Sequence, residues 1–121
     1  MHPTDIDAVM EFDGKKLILI EYKTKGNTAD TGQKLLLERI ADNWKSKEGN
    51  DSIIIYCEHE QYDPNEDVDG GNAIVTGIYW QKRRISYAGL NRTVRDIVWS
   101  FAHKEIIKKL ERESCIQLKS W

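Results

Sequence analysis

Asp7 and the tripeptide Glu21-Tyr22-Lys23 are the residues of this 121-residue chain whose types and spacing best suit chemistry. Two carboxylates brought side by side repel one another unless a cation stands between them. Hard oxygen ligands with room for water suit Mg²⁺ or Mn²⁺. Such an ion polarises a phosphodiester and lowers the pKa of a bound water. Lys23 could orient that water or balance the charge that develops in the transition state, and the backbone carbonyl of Tyr22 is a further candidate metal ligand. Taken alone, Glu-x-Lys is a short pattern. From the isolated residues it reads first as an exposed ion pair between Glu21 and Lys23 beside a solvated Asp7.

Strands must carry these groups if they are to meet. Residues 5–12 alternate as a strand does, Asp13-Gly14-Lys15 reads as a turn, and residues 16–23 form a second strand. The middle of that second strand is apolar on both faces, the mark of an interior position. Side chains alternate along a strand, so Glu21 and Lys23 share a face with Leu17 and Leu19. Asp5, Asp7, Val9 and Glu11 share a face of the first strand. In an antiparallel pair, opposed residues have a constant index sum. A two-residue Asp13-Gly14 turn gives a sum of 27, which sets Asp7 against Ile20 and points the two carboxylates to opposite faces. A three-residue turn gives 28 and sets Asp7 against Glu21. The chemical reading therefore requires an odd-length connection, or a bulge with the same effect.

A helix follows, capped by Asp30 or Thr31, with Gln33, Leu37, Ile40 and Trp44 in one stripe and an end near Glu48-Gly49-Asn50. Residues 52–57 read as a short buried strand. Strand, helix, strand in this order predicts a crossover joining two parallel strands. Residues 58–72 form a polar loop, 73–80 and 83–88 two short strands, and 92–113 a long helix whose apolar phase slips after Phe101. Trp99 is expected in the core because of that helix.

The run Thr4-Asp5-Ile6-Asp7-Ala8-Val9, then Leu17-Ile18-Leu19-Ile20-Glu21-Tyr22-Lys23, then Thr31-Gly32-Gln33-Lys34, resembles the core of the PD-(D/E)xK nuclease superfamily. It is similar to small phage-encoded members, to virus-type replication-repair nucleases and to Holliday junction resolvases. The match covers residues 3–57. The resemblance implies a restriction-endonuclease-like α/β fold, a mixed sheet flanked by helices, here in a minimal form without the usual N-terminal helix. It implies a divalent-metal-dependent nuclease acting on DNA, with Asp7 and Glu21 as metal ligands, Lys23 as the catalytic lysine and Gln33 as the helix glutamine. Asp5 is the rival to Asp7, since both lie an even number of residues from Glu21. Mg²⁺ or Mn²⁺ is the implied cofactor, DNA (branched or single-stranded forms included) the implied partner, and a homo-oligomer that completes the fold a further expectation. The alternative is a nuclease-fold module without catalysis, an accessory or inhibitor protein that works through a protein or nucleic-acid partner.

Composition bounds these readings. The chain is one domain's worth, 1–121, with 40% apolar and 31% charged residues. No apolar run approaches the ~20 residues needed to span a bilayer, and the N-terminus has no secretion signal, so a membrane partner is not expected. Cys57 and Cys115 make no disulfide framework and are read as reduced thiols in a cytoplasmic protein. The net charge of -2 conceals a division: residues 1–80 carry 8 Lys/Arg against 16 Asp/Glu, and residues 81–121 carry 10 against 4. Lys25, Lys82, Arg83, Arg84, Arg92 and Arg95 are the candidate nucleic-acid contacts, with Trp80-Gln81-Lys82-Arg83-Arg84 as a contact hairpin. Counterion release would supply affinity only where these side chains share a face; a solvated charged surface is the plain alternative. Asn65-Glu66-Asp67-Val68-Asp69-Gly70 imitates the start of an EF-hand loop, but Thr76 stands where the bidentate glutamate belongs. Glu58-His59-Glu60 reads as a solvated strand end.

Overall fold

The computed structural model describes residues 8–24, 31–59 and 70–103. The chain is an α/β protein built on a five-stranded mixed sheet with strands in the order β1-β2-β3-β4-β5. These are β1 (Ala8–Phe12), β2 (Lys16–Thr24), β3 (Asp51–His59), β4 (Ile74–Trp80) and β5 (Arg83–Ser86), with helices α1 (Thr31–Lys45) and α2 (Val94–Ala102). The β2–β3 pair is parallel, as the strand–helix–strand pattern predicts, and the other pairs are antiparallel.

The alternation of side chains explains the layers. Ile18, Ile20, Ile53 and Ile55 project to one face and pack with Val94, Ile97 and Phe101 of α2. Leu17, Leu19, Ile54, Tyr56 and Tyr79 project to the other and pack with Leu37 and Ala41 of α1. Both faces of β2 and β3 are covered, which is why these strands read as nearly continuous apolar runs. Among the described residues no helix is long and apolar enough to cross a membrane.

Several boundaries differ from the sequence expectation. Helix α1 stops at Lys45, not near residues 48–50. There the Asn50 side chain donates to the Trp44 carbonyl at 3.2 Å, and Gly49 takes a left-handed φ of 85° to turn the chain into β3. Helix α2 begins with a capping box, in which Thr93 accepts from the Asp96 amide, and ends at Ala102 with His103 as its C-cap. Lys16 donates to the carbonyls of Phe101 and Ala102 at 3.0 and 2.8 Å, so a cation closes the negative pole of α2. Residues 104–113 of the expected long helix lie outside the described residues. The β4–β5 hairpin turns on Gln81 and Lys82, both left-handed with φ of 51° and 61°.

Candidate active site

The β1–β2 ladder pairs Ala8 with Ile20, Met10 with Ile18 and Phe12 with Lys16, an index sum of 28. The connection is thus the three-residue Asp13-Gly14-Lys15, with Asp13 and Gly14 left-handed and the Lys15 amide donating to the Phe12 carbonyl at 2.9 Å. This is the register that the pairing of residues 7 and 21 requires. Asp7, its rival Asp5 and Lys25 lie outside the described residues, as does the loop segment 65–69.

Glu21 and Lys23 stand on the α1 face of β2, one pleat beyond Leu19. Glu21 is a buried acid, 2% exposed. The Lys23 Nζ lies 3.0 Å from its Oε1. Gln33 reaches down from the first turns of α1 and donates from Nε2 to the same oxygen at 2.8 Å. Lys23 also donates to the Gln33 Oε1 at 3.5 Å. The triangle fixes the amide: reversed, it would turn its NH₂ toward an ammonium and its oxygen toward a carboxylate. Three of the four residues expected at the site therefore meet. The ion pair between Glu21 and Lys23 exists, but its acid is buried rather than exposed. A charge-assisted hydrogen bond of this kind is worth about 1.5–3 kcal/mol. That offsets part of the several kcal/mol needed to bury a carboxylate.

A second polar group, missed in the sequence, continues the site along α1. Tyr56 is in register with Glu21 across the parallel pair, and Glu58 with Lys23. Glu58 is half-buried within β3, not a solvated strand end. The Lys34 ammonium lies 5.8 Å from the centre of the Tyr56 ring. Glu38, buried one turn further along α1, takes the Arg84 fork at 2.6 and 2.7 Å. The Tyr79 hydroxyl lies 2.9 and 3.0 Å from the two Asp42 carboxylate oxygens and donates to them. Burial first, then the Asp42 hydrogen bond, raises the Tyr79 phenol above its ordinary value. Burial first, then Glu38 and Glu21, raises that of Tyr56. The only trace of this cluster in the sequence is parity: Tyr56 shares the face of Ile54, and Glu38 neighbours Leu37 in the buried stripe.

The candidate nucleic-acid residues do not gather on one face. Arg84 turns to the α1 face and is committed to Glu38. Arg83 is paired with Trp80, and its guanidinium lies 5.4 Å from that ring, toward the α2 layer. Lys82 is exposed at the hairpin tip. Arg95, on α2, donates to Asn72 at 3.2 Å. Arg92 is half-buried, and its carbonyl accepts from the Val75 amide. Trp99 is not in the core: it is 53% exposed and stacks on His103 with ring centres 4.2 Å apart.

The donor set near Glu21 is hard oxygen, which fits Mg²⁺ or Mn²⁺ and not a thiolate-loving ion. Among the described residues, no group of three or more His, Cys, Asp or Glu converges as a metal cage. The described part of the site offers the Glu21 carboxylate and the neighbouring carbonyl of Tyr22, with Glu58 in register with Lys23 on the adjacent strand. Cys57 belongs to the opposite face, where it is buried and donates its thiol to the main-chain oxygen of Glu21 at 3.4 Å. Compared with family profiles, with curated proteins and with solved structures, the chain matches none of them.

Proposed function

We propose that this protein is a divalent-metal-dependent nuclease that hydrolyses phosphodiester bonds in DNA, with a restriction-endonuclease-like arrangement of its sheet. The observation that carries this reading is the Glu21–Lys23–Gln33 triangle. A buried acid, an ammonium and a helix-borne amide occupy one patch at the carboxyl end of β2, beside the parallel β2–β3 pair. Ligand sites of open α/β sheets favour that end of parallel strands. The odd-length β1–β2 connection supports it further, because the even-length alternative would have separated the two acidic faces.

Glu21, the Tyr22 carbonyl and Asp7 are the residues that would hold the ion. When bound, a hard dication polarises the phosphate and lowers the pKa of a water. The remaining work falls to this chain's own groups. In hydrolysis a water oxygen bonds to phosphorus as the ester oxygen leaves, and negative charge gathers on the phosphoryl oxygens. Lys23 places a fixed positive charge at that patch and has donors with which to hold the water. Gln33 holds the Glu21 carboxylate and the Lys23 ammonium in one geometry, so neither must reorganise when substrate arrives.

The test is a cleavage panel over branched, linear, circular and single-stranded DNA with Mg²⁺ or Mn²⁺. Cleavage should require the metal and fall at least about 100-fold in Glu21→Gln and in Lys23→Ala. Metal-dependent cleavage that persists at full rate in both variants, or no cleavage of any substrate by the intact chain, would overturn the assignment.

A further inference from the structure

Glu58 is an acid on the α1 face of the sheet that the Glu21–Lys23–Gln33 triangle leaves unused. It stands in register with Lys23 across the parallel β2–β3 pair. Neighbouring strands lie about 4.8 Å apart, so these two residues are adjacent across the sheet. Alternation settles the face. Ile54 and Tyr56 pack in the α1 layer and Cys57 in the α2 layer, so Glu58 returns to the side of Glu21 and Lys23. The slip between β3 and β4 does not disturb this, because the β2–β3 register runs unbroken from Lys16 and Asp51 to Thr24 and His59.

The other acids of this layer are committed. Glu38 takes the Arg84 fork, Asp42 accepts from Tyr79, and Glu21 accepts from Gln33 and pairs with Lys23. Among the described residues the Glu58 carboxylate takes neither a hydrogen bond nor an ion pair, although it is half-buried and an ammonium stands on the next strand. Lys23 is drawn instead to Glu21, at 3.0 Å. That arrangement is balanced while Glu21 serves one cation. A dication on the same carboxylate would repel the ammonium beside it, and more strongly in this partly dry patch than in water. Glu21 alone then answers three positive charges. The next negative charge in reach of Lys23 is Glu58, on the β3 side of β2 and away from β1.

We propose that Glu58 is a positioning residue for Lys23. Once a divalent cation occupies Glu21, Glu58 becomes the counter-charge of the Lys23 ammonium and keeps it in the site, with the Gln33 Oε1 as its second acceptor. The inference rests on the nuclease reading and adds the group that lets a lysine and a dication share one carboxylate. Glu58 touches neither the ion nor the reacting phosphate. It acts through Lys23, as partners one step removed from a metal tune its affinity elsewhere.

The full chain is titrated with MnCl₂ by calorimetry, without DNA. Glu58→Gln keeps the shape and removes the charge. It should weaken Mn²⁺ binding about 10-fold, and Glu58→Asp should recover most of the loss. Urea unfolding of Glu58→Gln without metal should show no loss of stability, since the metal-free chain gives this carboxylate no partner to lose. The deciding measurement is a cycle with Lys23→Ala. With the ammonium gone Glu58 has nothing to balance, so the double variant Lys23→Ala/Glu58→Gln should bind Mn²⁺ within about threefold of Lys23→Ala. Wild-type affinity in Glu58→Gln would overturn this inference and leave the nuclease reading intact. So would a loss that persists undiminished in the Lys23→Ala background, because Glu58 would then act on the ion directly. An intact chain that binds no Mn²⁺ would overturn both.

Discussion

Gln33 has two charged neighbours and one amide with which to answer them. Its removal should therefore be felt by both. Gln33→Ala leaves the buried Glu21 carboxylate with one donor fewer, which should cost about 1–3 kcal/mol of stability in urea unfolding. The Glu variant should fare worse than Ala, since it sets a second carboxylate 2.8 Å from the first. The tyrosines allow a spectroscopic check of the same polar layer. Tyr56 and Tyr79 have phenols raised above 10.0 by burial and by neighbouring carboxylates. The folded state thus holds their protons more tightly than the unfolded one. Their contribution to stability is fully present below pH 10 and is lost as pH rises toward their folded-state values. In an absorbance titration these two phenols should ionise above the ordinary tyrosine range, and the chain should unfold as they ionise. Glu21, Lys23 and Gln33 were legible in the sequence because period-two and helical spacing act over a few residues. Glu38 and Arg84 were not, because their pairing joins a helix to a strand 46 residues away.

Polar contacts at its sides fix helix α1 on the sheet beside the apolar packing of Leu37 and Ala41. The Ser52 hydroxyl donates to the Ala41 carbonyl at 2.8 Å, and the Trp44 indole to the Lys15 carbonyl at 3.0 Å. Tyr79 and Arg84 hold Asp42 and Glu38. Because Gln33 rides on this helix, these anchors set the depth at which its amide meets Glu21. Arg84→Ala would strand Glu38 in a nearly closed position, at a cost of about 2 kcal/mol. That value lies between exposed and fully buried pairs because the arginine side chain is 37% exposed. A double-mutant cycle with Glu38→Ala, read by urea unfolding, should return a coupling of about 1 kcal/mol or more. The strand next to the site carries its own device. The β3–β4 register slips by one residue between Tyr56 and Cys57, and the Thr76 hydroxyl donates to the Tyr56 carbonyl at 3.2 Å beside that slip. Bulges re-aim a side chain in this way. A bulge depends on the partner strand and left no mark in the local pattern of β3. Helix α2 shows the opposite failure. Val94, Ile97, Ser100 and Phe101 face the core. The buried Ser100 returns its hydroxyl to the Asp96 carbonyl at 2.8 Å, while Trp99, expected in the core, is turned outward.

At the scale of the molecule, the described basic residues of the C-terminal part are shared between the two layers. The basic C-terminal part supplied Arg84 to the α1 layer, and Arg83 and Arg95 to the side of α2. On the nuclease reading, a strand of nucleic acid held at Glu21 would reach the exposed Lys82 and Arg83 by running along the sheet toward the β4–β5 hairpin. The double variant Lys82→Ala/Arg83→Ala should weaken DNA binding and flatten its salt dependence without changing Mn²⁺ binding measured by calorimetry. Arg84→Ala should lower stability and leave the salt slope almost untouched. The order of layers was legible in the sequence, since strand–helix–strand demands a parallel pair. The distribution of charge over the two faces was not, because adjacent residues in β5 point to opposite sides of the sheet.

The tip that carries Lys82 has a cost that can be measured. Two-residue hairpin turns with both residues left-handed favour Asn-Gly, and Gln-Lys adopts that conformation at an expense of about 1 kcal/mol or more. Exchanging Gln81 for Asn and Lys82 for Gly should raise the melting temperature in calorimetry by roughly 4 °C. On the nuclease reading, the same exchange would also delete an amine offered to DNA. If that reading holds, heat tolerance and substrate capture are set against each other at a single bend, and a more robust version of this protein would surrender some of its grip.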